Sequence, residues 1–292
     1  MRIGIHTSIA GSLEQAALRA AELGANTFQI FSASPRMWRA GQPDPDAIKR
    51  LKAARERLDL KPLVIHDNYL INLASGDPAL RDRSIRAFRG EIERALAIGA
   101  EYLVAHPGNC RGQSYAQGFQ TMAESLIRAA RGIRARGLTL LLENTAGSGA
   151  MLGGRFEELR AMRDLAGRGV DFEIGFCLDT AHCLAMGYNV ATAAGLRAAL
   201  WHADEFLGLD NVKVIHANDS KAPLGSRVDR HEHIGRGYIG REGFRRILAH
   251  PKLRAKPFIL ETPKHDDRDD RRNLRTLKSL CRRRPTTTSR SR

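Results

Sequence analysis

Six short apolar stretches of this chain each end in a histidine or a carboxylate. They are PLVIHD at His66, YLVAHP at His106, LLLEN at Glu143, GFCLD at Asp179, VKVIHA at His216 and PFILET at Glu261. Imidazole nitrogen and carboxylate oxygen are the donors that hold zinc and similar divalent cations. One such residue at the end of an apolar run is ordinarily a hydrogen-bonding group or a helix cap. Six of them recur at roughly 36- to 45-residue intervals, about one strand-helix unit each. Carboxylates crowded together repel, and each costs several kcal/mol to desolvate unless it is paired. No strand end offers an arginine or lysine for that pairing, so divalent cations are the expected partners.

Two local pairs extend the set. Asp179 and His182 stand three apart where a strand passes into a loop or helix. Asp229 and His231 stand two apart, so an extended backbone aims both to one side. The second pair lies in SKAPLGSRVDRHEHIGRG, a Gly-rich segment of the length that usually serves a function. Nine candidate donors result, five histidines and four carboxylates. A zinc ion normally takes four ligands, so two or three ions sharing a bridging carboxylate fit the count. Bound metal lowers the pKa of water to about 7 and supplies hydroxide at neutral pH, and paired ions clamp both oxygens of an in-line displacement. The implied chemistry is hydrolysis of an anionic phosphodiester. No G-x-S-x-G elbow and no evident cysteine-histidine pair offers another nucleophile.

The elements that must position these groups are legible as alternation. Strand candidates are Arg2–His6, Thr27–Phe31, Pro62–His66, Glu101–His106, Leu138–Glu143, Glu173–Asp179, Asn211–His216 and Pro257–Glu261. Segments of helical periodicity separate them: Leu13–Leu23, Asp46–Leu58, Leu80–Ile98, Phe119–Arg136, Phe156–Ala166, Ala191–Leu207 and Arg241–Leu248, with an eighth near Asp270–Leu280. Strands parted by helices form parallel, right-handed units. Eight predict a single α/β (β/α)₈ TIM barrel with the donors at the C-terminal ends of its strands. An open doubly wound sheet would want a G-x-G-x-x-G turn after the first strand, and HTSIAGS is not one. His6 ends the first strand as the donors end theirs and is expected beside them.

Bulk properties narrow the class. The chain has 292 residues, is 42% hydrophobic and carries +15 at neutral pH. That excess favours a polyanionic partner. The last eleven residues, RRRPTTTSRSR, contain five arginines and no acid, so residues 1–281 read as the catalytic barrel and 282–292 as a basic, disordered tail. No apolar run has a membrane span's length. Glu14 and Glu22 break any signal-like stretch at the start, which gives a cytoplasmic expectation. Cys110, Cys177, Cys183 and Cys281 form no C-x-x-C pair, and Cys177 reads as core.

The same residues carry a family resemblance. FSASPRMW (31–38), HDNYLINLAS (66–75), HPG (106–108), LLENTAG (141–147), LDTAH (178–182), HANDSKAPLGSRVDRHEHIGRG (216–237) and LET (260–262) strongly resemble endonuclease IV, the zinc apurinic/apyrimidinic (AP) endonuclease family of base excision repair. The resemblance implies three zinc ions, with manganese able to replace zinc at some positions. His66 and His106 would hold one zinc, and Glu143 would bridge it to a second completed by Asp179, His216 and Glu261. His182, Asp229 and His231 would hold the third. Glu143 and Glu261 would be the catalytic carboxylates. The implied substrate is double-stranded DNA with abasic sites or blocked 3′ ends, cut 5′ to the lesion to leave a 3′-hydroxyl and a 5′-deoxyribose phosphate. Apart from the resemblance, a monomer is the simpler expectation. Arg36 would enter the base stack, Tyr69 and Leu70 would wedge into the minor groove, and Arg230 would also contact DNA. Trp38 reads as loop packing. Ser12 and Ser148 depart from the family pattern at positions outside the donor set.

Two other readings compete. A single-metal TIM-barrel sugar isomerase or epimerase would use Glu143, Asp179, His216 and Glu261 but leave His182, Asp229 and His231 without a task. A non-catalytic DNA-binding protein would keep zinc for structure alone.

Overall fold

Each apolar run forms a parallel strand, and the eight strands close on themselves. In the computed structural model, which describes residues 1–281, they are β1 (Ile3–His6), β2 (Phe28–Phe31), β3 (Leu63–His66), β4 (Tyr102–Ala105), β5 (Thr139–Glu143), β6 (Ile174–Asp179), β7 (Val212–His216) and β8 (Phe258–Leu260). Neighbours pair in chain order, and β1 closes the ring against both β2 and β8. The expected (β/α)₈ barrel is the observed fold. The basic tail expected over 282–292 lies outside the described residues.

The outer helices are α1 (Leu13–Glu22), α2 (Pro45–Arg57), α3 (Pro78–Ile98), α4 (Tyr115–Ala130), α5 (Phe156–Ala166), α6 (Thr180–Met186), α7 (Ala193–Leu207), α8 (Gly240–Ala249) and α9 (Asp267–Leu280). Polar caps set several starts. Ser12, Asp44, Asp77 and Thr192 each accept a backbone N–H of the following turn. Helix α4 begins four residues before its apolar periodicity does, because Ser114 and Gln117 form a capping box. It ends at Ala130 rather than Arg136, since Arg131 leaves the helical region and Gly132 turns with φ +76. Among the described residues no helix is long and apolar enough to cross a membrane.

Inside the barrel, Val64, Val104, Leu141, Cys177, Val214 and Ile259 make a separate apolar cluster, each fully buried. Burying such a side chain contributes about 1.5–3 kcal/mol. Cys177 is core, as its surroundings suggested. Every member stands two residues before one of the six strand-end donors. A strand alternates faces with period two, so the residue that plugs the barrel guarantees that the donor above it also points inward. The apolar plug is thus the floor of the site.

Candidate metal centre

Glu143, at the end of β5, is fully buried at the middle of the cluster. Its Oε2 lies 3.2 Å from Nε2 of His66 and 3.3 Å from Nε2 of His106. Its Oε1 lies 2.8 Å from Nδ1 of His216. Glu261 follows β8 and brings Oε2 to 3.3 Å from the same nitrogen. One group of donor atoms, all within 4.8 Å of one another, is His66, His106 and Glu143. A second is Glu143, Asp179, His216 and Glu261, so Glu143 belongs to both.

A third group joins Asp179, His182 and His231. Its local cause is the junction of β6 and α6. Asp179 ends the strand and caps the helix, accepting the backbone N–H of His182 at 2.8 Å, so no loop separates the two donors. Asp229 adds Oδ1 at 3.3 Å from Nε2 of His182 and 3.6 Å from Nε2 of His231. Asp179 therefore stands beside this group as well as the second.

Four of the histidines share one arrangement. His66 and His182 donate from Nδ1 to the carbonyls of Asp67 and Asn144, both at 2.8 Å, and His231 donates from Nδ1 to that of Glu261 at 3.0 Å. His216 donates from Nε2 to the amide oxygen of Gln29 at 2.8 Å. A carbonyl only accepts, so that nitrogen keeps its proton, and the other nitrogen is the one turned toward the carboxylates, where it can give its lone pair to a metal once its own proton is displaced. This is the way metal-binding histidines are held. Nε2 of His231 is buried without a hydrogen-bond partner, 3.7 Å from Oδ2 of Asp179. An orphaned buried nitrogen beside a carboxylate is what a missing cation would satisfy. The residues fit divalent metal.

Electrostatics agree. Burial opposes ionisation of Glu143 and Glu261, yet His216 and the neighbouring imidazoles overcome it and hold both below the usual carboxylate range. Burial alone would lower His182 and His216. Asp179, Asp229 and Glu143 around the first, and Glu143 and Glu261 around the second, outweigh it and raise each to about 10. Without metal, the cluster thus draws in protons as counter-charge.

The donors open into a cleft of about 620 Å³ whose walls include His66, His106, His182, His231 and Glu261. Tyr69 and Leu70 stand in its rim. Tyr69 is 73% exposed, with its ring edge against Phe31 at 5.1 Å. His6 lies beside the donors, 3.7 Å from Glu261 and with its ring tilted 55° against that of Phe31. Arg36 and Arg230 are exposed and are not among the residues lining the cleft; Arg230 turns back to the carbonyl of Asp229. Trp38 is half-buried under the guanidinium of Arg83, in line with loop packing.

Three positioning residues escaped the sequence reading. Gln29, buried within the apolar strand β2, holds His216 and also donates to Glu261 at 2.5 Å. Asn218 donates to Asp179 at 2.5 Å and accepts the backbone N–H of Glu261 at 2.7 Å. Asp219 organises the long segment after β7. Its carboxylate accepts the N–H groups of Gly235, Gly237, Ile239 and Gly240. The two-residue pairing of Asp219–Ser220 with His231–Glu232 then delivers His231 to the cluster. A lone glutamine in FQIF, and asparagine two residues after His216, were the available signals.

Fold and site together define a TIM-barrel enzyme whose clustered histidines and carboxylates, at the C-terminal ends of its strands, could hold divalent metal. Residues 17–280 match the family described as xylose isomerase-like TIM barrel. The chain belongs to the endonuclease IV family. It is 63% identical to the probable endonuclease 4 of Solibacter usitatus, over 96% of this chain and 97% of that relative. The crystal structure of endonuclease IV from Thermus thermophilus superposes with a TM-score of 0.84 at 38% identity, covering 96% of this chain and 98% of that one. D-Psicose 3-epimerase from Clostridium cellulolyticum shares the fold with a TM-score of 0.67 at 15% identity, covering 96% and 98%. That likeness extends to the barrel alone.

Proposed function

We propose that residues 1–281 form an AP endonuclease, acting as a monomer on double-stranded DNA. It hydrolyses the phosphodiester 5′ to an abasic site, leaving a 3′-hydroxyl and a 5′-deoxyribose phosphate, and trims blocked 3′ ends. The observation that carries this reading is the shared position of Glu143 between two donor groups, with a third group 3.6 Å away through Nδ1 of His182. A single-metal sugar isomerase has no use for that third group.

His66 and His106 would hold one zinc, Glu143 would be shared with a second held also by Asp179, His216 and Glu261, and His182, Asp229 and His231 would hold the third. Bound metal supplies Lewis acidity and a water acidic enough to ionise near neutral pH. The chain's own residues do the rest. Glu261, one fifth exposed at the cleft, orients the attacking water, and Gln29 fixes that carboxylate's direction. The water's oxygen bonds to phosphorus as the bond to the 3′ oxygen breaks, and that oxygen leaves as the hydroxyl. Tyr69 and Leu70 at the rim fill the space of the absent base while Arg36 enters the stack and Arg230 contacts the backbone. An abasic sugar is the least costly to extrude.

The test is metal analysis of purified protein beside a nicking assay on a duplex bearing one abasic site. Three metal ions per chain with cleavage 5′ to the lesion is the expected result. One ion with no nicking would replace this reading with the isomerase. Bound metal with DNA binding but no nicking would leave a structural zinc protein.

A further inference from the structure

The loop between β2 and α2 borders a second concavity. Trp38 and Arg39 face Arg83, Arg86, Gly90 and Arg94 across a pocket of about 350 Å³ that shares no lining residue with the metal cleft. The four α3 residues fall at spacings of three and four, hence on one helix face. Arg94 is buried and matched, with Nη2 2.8 Å from Glu91 and Nε donating to Ser32 at 2.7 Å. Gly90 leaves room for it, since a Cβ there would lie 2.8 Å from Nη1 of Arg94. Arg94 is thus a fixed floor rather than a spare charge.

The remaining arginines are unmatched. Among the described residues Arg39, Arg83 and Arg86 have no ion pair, and all three are exposed. The guanidinium of Arg83 sits 5.3 Å over the Trp38 ring, a stacking that orders the group while leaving its N–H edge free. Three unpaired guanidiniums around one hollow repel each other and concentrate anions. Their forked donors match the oxygens of phosphate.

We propose that this pocket seats a backbone phosphate of the bound duplex, beside the metal cleft. The inference rests on the DNA reading above. Trp38 follows Arg36 by two residues, so their Cα atoms are within about 8 Å. Phosphates along one strand advance about 3.4 Å along the axis per nucleotide. A strand whose stack is entered at Arg36 therefore passes the pocket within a few nucleotides. Free phosphate or pyrophosphate carries the same oxygens, and the experiment separates the sources.

The holoenzyme is compared as wild type, R83Q/R86Q and R83K/R86K, with affinity for a duplex bearing one abasic site and a non-cleavable linkage 5′ to it measured across salt concentrations. Loss of one phosphate contact lowers the slope of log K against log salt by about 0.9, roughly a fivefold loss of affinity at 0.15 M salt. R83Q/R86Q should show that drop and R83K/R86K should retain most of the slope, which a merely structural role for these side chains would not produce. An unchanged slope in R83Q/R86Q overturns the proposal. In a second arm, Trp201→Phe leaves Trp38 the sole tryptophan, and inorganic pyrophosphate is titrated against its emission. Saturable binding lost in R83Q/R86Q, together with an unchanged DNA slope, assigns the pocket to free phosphates and overturns the backbone assignment. A wild type that binds pyrophosphate but no abasic duplex defeats the DNA reading as a whole and the backbone assignment with it, while keeping the pocket's affinity for anions.

Discussion

The amide oxygen of Gln29 lies 2.8 Å from Nε2 of His216, and this contact leaves Nδ1 of the same ring facing Glu143 and Glu261. A ring free to flip would turn its metal-facing nitrogen away from the carboxylates as often as toward them. Gln29→Leu keeps the volume and removes the acceptor. Metal affinity or turnover should fall about 10- to 100-fold with the barrel intact. Metal titration and kcat on abasic duplex, checked against an unchanged circular dichroism spectrum, measure it.

Glu261→Gln is expected to abolish strand cleavage while folding and DNA binding persist. The amide is nearly isosteric but has no charge to orient the attacking water. Single-turnover cleavage and equilibrium binding of the same duplex separate the two effects. Weakened binding with normal cleavage per bound complex would refute the role given to Glu261.

Asp219 accepts four backbone N–H groups from the segment that delivers His231. Asp219→Ala strands those donors, and an unsatisfied buried donor costs about 1–3 kcal/mol. Stability to urea should fall by at least one such increment, and the third metal should be lost first. Denaturation midpoints and metal stoichiometry on one preparation check both.

In metal-free protein His182 and His216 are raised to about 10 from an ordinary 6.5. A raised folded-state pKa contributes stability that is complete below about 6.5 and fades as pH climbs through about 10. Metal binding must expel these protons, so affinity should strengthen with rising pH across the same window. Thermal melts with and without chelator from pH 6 to 10 should diverge, the chelated protein weakening as the metal-loaded one holds. Calorimetry in buffers of differing ionisation enthalpy should detect the released protons.

Tyr69 is 73% exposed, and its ring meets that of Phe31 in a T-shaped contact at 5.1 Å. Tyr69→Ala should therefore leave fold and metal content unchanged. Affinity for abasic duplex should fall by about 1–3 kcal/mol, the usual worth of an aromatic-base stack. Preference for abasic over intact duplex, measured by anisotropy, reads the effect. An unchanged preference would remove Tyr69 from the DNA-contact set.

The order and type of the barrel elements could be read from the chain because each signal is local. A strand's inward face repeats every second residue, so Val64 announces His66 and Leu141 announces Glu143 before any fold is known. The spacing of Asp179 and His182 places both in one turn, and the excess of arginine implies a polyanion without saying where it sits. What the chain could not reveal is which atoms meet. Only closure of the ring sets Gln29 against His216, 187 positions away, and gives the two oxygens of Glu143 to different histidines. The turn of Asp219 toward four N–H groups, and the gathering of Arg39 with Arg83 and Arg86, likewise depend on packing between remote segments. Local periodicity fixes which face a side chain occupies. Its partner is decided by barrel closure and helix packing, which bring together residues whose separation in sequence carries no signal.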